Sequence, residues 1–208
     1  MKFFWNRLLS LPAGRSGAVS PPMFFSCLPV LETEDLLLRA PRRKDAKDIF
    51  AYASDPEVSR YVLWEPHRSL SETRGYVGTM IRRAREGYPS SWVVTLRETG
   101  QVIGTIGFVW YSYDNRSAEL GYSLSREYWN RGYATQALKA VVGAAFRSLP
   151  LNRVEAQHDV RNPASGRVME KSGLRQEGVL RDRVLNRDEY VTVALWAILR
   201  ADWEQAQR

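Results

Sequence analysis

The fold of this chain is constrained most strongly by three apolar segments that are joined by short turns. The segments span residues 92–96, 102–110 and 118–124, and the turns between them contain Thr99-Gly100 and Asp114-Asn115-Arg116. Strands joined by so few residues pair antiparallel, because a parallel connection needs a crossover of about a dozen residues or more. The sequence therefore predicts an antiparallel meander at the centre of the fold.

The segments on either side of this meander alternate between helical and strand patterns. Apolar residues at helical spacing cover 131–147, a strand follows at 153–160, and another helix is predicted at 163–171. A strand–helix–strand crossover places strands 118–124 and 153–160 parallel to each other. The other predicted elements are a strand at 36–39, helices at 45–53 and 71–86, and strands at 175–182 and 190–199. We predict an α+β fold with a mixed, mostly antiparallel sheet of about seven strands.

Residues 1–31 differ in composition from the rest of the chain. They contain no acidic residue, three basic residues (Lys2, Arg7 and Arg15) and a Pro-, Gly- and Ser-containing stretch at 12–22. We expect a flexible N-terminal extension at 1–31 and a single domain at 32–208. A targeting segment or an amphipathic surface anchor is the alternative for such a basic start.

Composition argues against several kinds of site. The single cysteine, Cys27, cannot form an internal disulfide. Together with His67 and His158 it does not supply a His- or Cys-rich metal centre, so we expect no metal. Charges interrupt the apolar stretches before the ~20 residues of a membrane span. The formal net charge of +7 suits a nucleic acid, an acidic protein, an anionic membrane or a phosphate-rich cofactor, and equally a spread of surface arginines.

The turn before helix 131–147 has the features of a phosphate site. The first amides of a helix lack intrahelical acceptors, and the helix dipole makes that end positive. Gly132 and Ala134 are small enough to admit a phosphate close to the backbone, Arg131 adds a cation and Thr135 adds a hydroxyl. The full run is Trp129-Asn130-Arg131-Gly132-Tyr133-Ala134-Thr135.

This run resembles the acyl-coenzyme A pyrophosphate loop of the GNAT superfamily, especially its ribosomal-protein alanine N-acetyltransferase branch. The superfamily pattern is Q/R-x-x-G-x-G/A, and its first position is Trp129 here. A second segment resembles the N-x-x-S … E-K-x-G-F motif of the same branch, with Leu174 in place of Phe: Asn162-Pro163-Ala164-Ser165, then Met169-Glu170-Lys171-Ser172-Gly173-Leu174. The resemblance covers residues 36–203. It implies the GNAT fold, with helices on both faces of the sheet and a splayed parallel strand pair, and acetyl-coenzyme A as the co-substrate.

The resemblance also implies where acetyl-coenzyme A binds. Its pantetheine arm would lie between the two parallel strands, and its pyrophosphate would meet the amides at the start of helix 131–147. Asn162 precedes helix 163–171, so a plain helix cap is its alternative role. The implied cofactor contacts are Tyr122, Ser123, Leu124, Asn130, Arg131, Gly132, Tyr133, Ala134, Thr135, Asn162 and Lys171.

Acetyl transfer to an amine needs a proton acceptor, because an ammonium cannot attack a thioester. Glu119 is the candidate base, since it opens the strand that borders the cleft, where partial desolvation would raise the pKa of its carboxyl. An ordinary surface glutamate is the alternative. Many members of the resembled superfamily protonate the departing thiolate with a tyrosine, and the matching position here is Met169, which cannot donate. Ser165 is therefore the candidate acid, and a solvent-facing serine is the alternative.

The acceptor amine is the least constrained part of the prediction. By resemblance, Trp64 and helix 71–86 would form one wall of the acceptor groove, with Tyr111, Tyr113 and the loop at 186–189 on another. Packing in the core or at its rim is the alternative role of Trp64. Three functions stay open: acetylation of the N-terminus of a protein, in particular a ribosomal protein; acetylation of a small amine such as a polyamine, amino acid or antibiotic; and non-catalytic acyl-coenzyme A sensing or RNA binding. The need for acetyl-coenzyme A and the low cysteine usage favour a cytoplasmic location. A monomer and a homodimer both stay open, as does association with the ribosome.

Overall fold

The computed structural model describes residues 19–208, and in this region eight strands form one mixed sheet. Their order across the sheet is β1-β2-β3-β4-β5-β6-β8-β7. The strand missed by the sequence prediction is β1, which pairs antiparallel with β2. The strands are β1 (Leu31–Glu32), β2 (Leu36–Arg39), β3 (Ser91–Leu96), β4 (Val102–Ser112), β5 (Ser117–Leu124), β6 (Arg153–Asp159), β7 (Arg175–Asn186) and β8 (Glu189–Leu199).

Helices cover both faces of the sheet, as predicted. A larger core cluster joins the sheet to α1, α5 and α6, whereas a smaller cluster joins it to α2, α3 and α4. Within the described residues, no helix is both long and apolar enough to cross a membrane. The helices are α1 (Pro21–Ser26), α2 (Ala46–Ala53), α3 (Pro56–Ser59), α4 (Leu70–Arg85), α5 (Tyr133–Ser148), α6 (Pro163–Lys171) and α7 (Arg200–Ala206).

The parallel pair is β5 and β6, and it separates after three residues. Ser117, Ala118 and Glu119 pair with Arg153, Val154 and Glu155, and no pairing of these strands continues beyond Glu119 in the described structure. Ala118 and Val154, which pair with each other, are both fully buried in the larger core cluster. The predicted splay is confirmed, and it leaves the β6-facing edge of β5 open from Leu120 to Leu124.

The segment before β1 does not behave as a flexible extension. The α1 helix begins at Pro21, a residue type that suits a first helical turn. Phe24 and Phe25 are 3% and 1% exposed and belong to the larger core cluster. The predicted boundary between residues 31 and 32 is therefore too late, because an apolar pair within a short Pro-bounded stretch packs on the sheet. The rest of the predicted extension, residues 1–18, lies outside the described residues.

A β-bulge in β4 decides which side chains face the smaller cluster. Phe108 pairs with Leu120, but Trp110 pairs with Glu119, so Val109 is the extra residue between them. Such an insertion reverses the alternation of side chains in the bulged strand. Trp110 consequently shares a face with Glu119, and Tyr111 shares the opposite face with Ala118.

Candidate active site

Glu119 lies at the point where the parallel strands separate. Trp110 Nε1 donates a hydrogen bond to its Oε2 at 2.6 Å, and Gln157 Nε2 donates to its Oε1 at 3.1 Å. Both carboxylate oxygens therefore have a neutral donor, which holds the side chain in one orientation. Glu119 and Ser123 are an even number of residues apart on β5, so they share the face covered by α2 and α4.

The environment of Glu119 tunes its carboxyl toward proton uptake. Partial burial raises the pKa of Glu119, and the nearby Glu155 carboxylate adds to that rise. The hydrogen bonds from Trp110 and Gln157, and the charge of Arg183, oppose it without cancelling it. A carboxylate with a raised pKa is a better general base near neutral pH than an ordinary one. The ordinary-surface alternative does not describe this residue, because its carboxylate is buried in part and held by two side chains.

The turn before α5 presents its backbone to the open end of the cleft. Asn130 and Gly132 have φ angles of 61° and 80°, and Gly132 occupies the N-cap position without a side-chain hydrogen bond at the cap. A Cβ atom added at Gly132 would find nothing within 4 Å. The amides of Tyr133, Ala134 and Thr135 have no intrahelical acceptor at this end. The turn therefore combines free donors, open space and the positive end of a 16-residue helix.

Other loop residues fix the shape of this turn. Trp129 Nε1 donates to the carbonyl oxygen of Leu124 at 2.8 Å, which ties the turn to the end of β5. The Arg131 guanidinium lies 5.3 Å from the ring centroid of Tyr128 and is exposed. Trp129 stands at the first position of the superfamily pattern, where the pattern has Gln or Arg, and its indole stabilises the turn through this hydrogen bond.

Ser165 lies in the first turn of α6 and faces β5. Its Oγ is 2.8 Å from the Tyr122 hydroxyl, which is also 3.1 Å from the Ser165 carbonyl oxygen. The solvent-facing alternative is therefore wrong for Ser165. The resemblance implies Tyr122 as a cofactor contact through its backbone, and no local pattern indicates that its side chain reaches a residue 43 positions away.

The remaining residues of the second motif have mixed placements. Asn162 is the N-cap of α6, and its Oδ1 accepts a hydrogen bond from the Ser165 amide at 3.3 Å. Its helix-cap role is thus present, which leaves its amide nitrogen for a ligand. Met169 is 2% exposed within the core and carries no proton to donate. Lys171 is exposed in the last turn of α6. Ser123, the remaining predicted cofactor contact on β5, has its Oγ 3.3 Å from Thr105 Oγ1.

Three aromatic side chains, Trp64, His67 and Tyr76, form a row on the side of the sheet that α2 and α4 cover, which is also the side of Glu119. We call them the aromatic row. The ring centroids of Trp64 and His67 are 5.7 Å apart, and those of His67 and Tyr76 are 5.4 Å apart. Tyr76 exposes 41% of its surface; burial raises the pKa of its hydroxyl, and a hydrogen bond with Thr105 opposes part of that rise.

The tip of the β7–β8 hairpin is fastened to the loop that carries Trp64. Arg187 Nη2 donates to the carbonyl oxygens of Ser59 and Trp64 at 3.0 and 3.1 Å, and Arg187 Nε lies 2.6 Å from Glu65 Oε1. Asn186 Nδ2 donates to the Val62 carbonyl oxygen at 3.2 Å. These contacts join the two sides of the predicted acceptor groove at one end.

The structure does not bring Tyr111 to this groove. Its ring packs 5.9 Å from Phe25 and 4.9 Å from Tyr113, on the face covered by α1. The bulge at Val109 is the physical reason, since it turns Trp110 toward Glu119 and Tyr111 away. Trp64 and Tyr111, predicted as opposite walls of one groove, lie on opposite faces of the sheet.

Two residues that sequence reasoning missed contribute to the site: Trp110 and Gln157. Gln157 could have been found, because strict alternation along a parallel neighbour of β5 places residues 155 and 157 on the face of Glu119. The position of Trp110 depends on the bulge, and the contact of Arg187, which lies in a loop predicted as a groove wall, spans 123 positions of sequence. Neither the bulge nor this long-range contact can be recognised from a pattern of neighbouring residues.

Comparison with known proteins agrees with this geometry. The family model described as "Acetyltransferase (GNAT) domain" matches residues 35–175. An uncharacterized N-acetyltransferase, YoaA, of Bacillus subtilis is 37% identical over 153 residues, which cover 74% of this chain and 86% of YoaA. An uncharacterized N-acetyltransferase, p20, of Bacillus licheniformis is 32% identical over 173 residues, covering 83% of this chain and 97% of p20. A GNAT-family acetyltransferase structure from Bacillus anthracis has a TM-score of 0.75 at 28% identity, covering 83% and 99% of the two chains.

Ribosomal-protein acetyltransferases are among the more distant matches. The ribosomal-protein-serine acetyltransferase of Escherichia coli is 29% identical over 130 residues, which cover 62% of this chain and 72% of that protein. A ribosomal L7/L12 alpha-N-protein acetyltransferase solved with coenzyme A has a TM-score of 0.74 at 21% identity and shares the fold.

The chain belongs to the GNAT acetyltransferase family and is an acetyl-coenzyme A-dependent N-acetyltransferase. The turn before α5 suits the phosphates of coenzyme A, because its amides are free and the space beside Gly132 is open. The open edge of β5 suits the amide-containing pantetheine arm, since an unpaired strand edge offers backbone donors and acceptors. Among the described residues, no group of three or more His, Cys, Asp or Glu side chains could hold a metal ion.

Proposed function

We propose that this protein acetylates the N-terminal amine of a protein, with ribosomal proteins as the first candidates and ribosome association as part of that role. The observation that carries the proposal is Glu119, a desolvated and doubly hydrogen-bonded carboxylate where β5 and β6 separate, facing the same side as the aromatic row. Kinship with the ribosomal-protein-serine acetyltransferase of Escherichia coli supports the choice of acceptor.

In this proposal the acceptor enters from the face of α4 and the acyl donor lies in the splay. Glu119 takes a proton from the acceptor ammonium, directly or through a water, so that the neutral amine can attack. Bound acetyl-coenzyme A supplies the thioester carbonyl that the amine attacks. Ser165 directs its hydroxyl to the departing sulfur, and a free β5 amide near Leu124 polarises the carbonyl.

The same proposal assigns the binding groups. The amides from Arg131 to Thr135, with Asn130 and the open space at Gly132, hold the pyrophosphate. The backbone from Tyr122 to Leu124, together with Asn162, holds the pantetheine arm, while Lys171 adds a positive charge near the cofactor.

The walls of the groove favour an extended acceptor with an apolar or aromatic side chain near its amine. Trp64 and Tyr76 are large, partly exposed rings whose positions are fixed by contacts with His67. Rigid aromatic side chains bind a peptide with little loss of conformational entropy.

A small amine is the second candidate acceptor. The contacts of Asn186 and Arg187 with the loop at 59–65 join the two sides of the groove at one end. A groove joined in this way suits a compact amine better than a long peptide that must pass beneath the hairpin. Polyamines, amino acids and amine-containing antibiotics are the compounds to compare.

The test measures free-thiol release from acetyl-coenzyme A with two panels of acceptors. One panel contains N-terminal peptides of ribosomal proteins, each paired with the same peptide blocked at its N-terminus, and the other contains small amines. We expect release with free peptides and background release with blocked ones. Release with small amines alone would assign the second function, and saturable cofactor binding without any release would assign a sensor.

A further inference from the structure

The Tyr122 hydroxyl crosses from β5 to α6 in the part of the fold where β5 and β6 no longer pair. It extends from the part of β5 that no longer pairs with β6 to the first turn of α6. It contacts Ser165 twice, at Oγ and at the carbonyl oxygen. Past Glu119 the strands themselves no longer pair, so this contact is not a by-product of sheet hydrogen bonding.

The two contacts offer Tyr122 a choice of acceptors for its single proton. When the proton points at the Ser165 carbonyl oxygen, the phenol oxygen can accept from Ser165 Oγ, and the serine proton is then used inside the pair. When the proton points at Ser165 Oγ, the serine proton is free to point into the cleft. The second arrangement is the one in which Ser165 can donate to another group.

We propose that Tyr122 is a positioning residue that, by donating to Ser165 Oγ, directs the serine proton toward the sulfur atom leaving acetyl-coenzyme A. The proposal rests on the proposed acetyl transfer. The resemblance implies that only the backbone of Tyr122 contacts the cofactor, so the role proposed for its side chain is additional.

The chain of two hydroxyls needs no net proton transfer of its own. Glu119 first passes the ammonium proton on to water, and the neutral amine nitrogen then bonds to the acetyl carbon. The C–S bond breaks with its electron pair on sulfur, and Glu119 takes the second proton, which the nitrogen loses as the amide forms. The negative charge that develops on sulfur is then stabilised by a hydrogen bond from Ser165, which Tyr122 strengthens by polarising it. The thiolate takes up a proton from water when it is released.

The surroundings of Tyr122 keep its hydroxyl in the donating form. Burial raises the pKa of Tyr122 to about 12, with the hydrogen bond to Ser165 opposing part of the rise. The residue is therefore neutral across the pH range in which the carboxylate of Glu119 works. A tyrosine that ionised in this range would accept from Ser165 rather than donate to it.

The test uses coenzyme A itself, so that it does not depend on finding the right acceptor. Thiolate absorbance of enzyme-bound coenzyme A is titrated with pH in the wild type, Tyr122→Phe, Ser165→Ala and the double variant. We expect the wild type to lower the pKa of the bound thiol by about one unit, a tenfold change in ionisation. Each single variant should lose most of this effect, and the double variant should lose little more than either single one.

A matched control separates positioning from a general loosening of α6. Ser172 is the C-cap residue of α6, at the opposite end of that helix from Ser165, and its Oγ donates to the Val168 carbonyl oxygen at 2.8 Å. Ser172→Ala should leave the thiol pKa at its wild-type value. If Tyr122→Phe unfolds, Ser165→Ala still tests the chain of hydroxyls from its other member.

Turnover provides the second readout once an acceptor is known. Tyr122→Phe should reduce kcat about tenfold, with the KM for acetyl-coenzyme A changed less than twofold. A bound-thiol pKa equal to that of free coenzyme A in the wild type, or unchanged by Tyr122→Phe, would overturn the proposal while leaving acetyl transfer itself intact. Failure of the acceptor panels would instead count against the proposed function, because the titration does not involve an acceptor.

Discussion

Replacement of Phe25 by alanine tests whether the segment before β1 belongs to the folded domain. Phe25 is 1% exposed, and its ring makes edge-to-face contacts with Phe24, Phe108 and Tyr111 at centroid distances of 5.6, 5.1 and 5.9 Å. Truncating a fully buried phenylalanine costs about 3–5 kcal/mol through lost burial and the cavity left behind. Each kcal/mol shifts the midpoint by about 2–4 °C in a domain of this size. Phe25→Ala should therefore lower Tm by roughly 6–20 °C.

The assay is urea unfolding followed by tryptophan fluorescence, with thermal melts in parallel. Met23 provides the matched control, because it lies in the same helix and is 62% exposed. Met23→Ala should change the free energy of unfolding by less than about 0.5 kcal/mol. A loss below about 1 kcal/mol for Phe25→Ala, which is under the range for buried aromatic truncations, would show that α1 does not contribute to the core and would restore the predicted extension.

Three further predictions concern the site. Glu119→Gln should reduce kcat by about 10²–10⁴-fold. Since its pKa is raised and the ionised form is the base, wild-type kcat/KM should fall as the pH drops through a midpoint above that of an ordinary carboxyl; an acidic limb unchanged in Glu119→Gln would refute this. Gly132→Val should weaken acetyl-coenzyme A binding about tenfold or more, equal to about 1.4 kcal/mol. Gly100→Val is the control, because Gly100 has a similar φ of 71° and open space around it, and this variant should bind acetyl-coenzyme A as the wild type does. Equal affinities of Gly132→Val and the wild type, measured by calorimetry, would contradict the assignment of the phosphate site. Arg187→Ala should raise KM for the acceptor and leave KM for acetyl-coenzyme A unchanged, because it frees the Trp64 loop; parallel changes in both would argue for a global effect.

Much of the topology was predictable because it follows from local patterns. The short turns of the meander, the helix of the crossover and the start of α6 at Pro163 are each determined by residues close together in sequence. The structure confirms all three. The turn at Gly132 was predictable for the same reason, since small residues at a helix start are a local signal.

The details that escaped prediction depend on single residues or on distant contacts. One extra residue, Val109, exchanges the faces of Trp110 and Tyr111, and alternation alone cannot reveal it. The burial of Phe24 and Phe25 depends on space offered by Phe108 on the sheet, far along the chain. The partners of Tyr122 and Arg187 are likewise set by tertiary packing.

The most direct test of the central claim is mass spectrometry of an acceptor after incubation with the wild-type protein and acetyl-coenzyme A. N-terminal peptides of ribosomal proteins should gain the mass of one acetyl group at the α-amine, in step with release of one free thiol. Thiol release without an acetylated product would mean hydrolysis rather than transfer. Saturable binding of acetyl-coenzyme A with neither thiol release nor acetylated peptide or small amine would contradict the account of this site as a transferase.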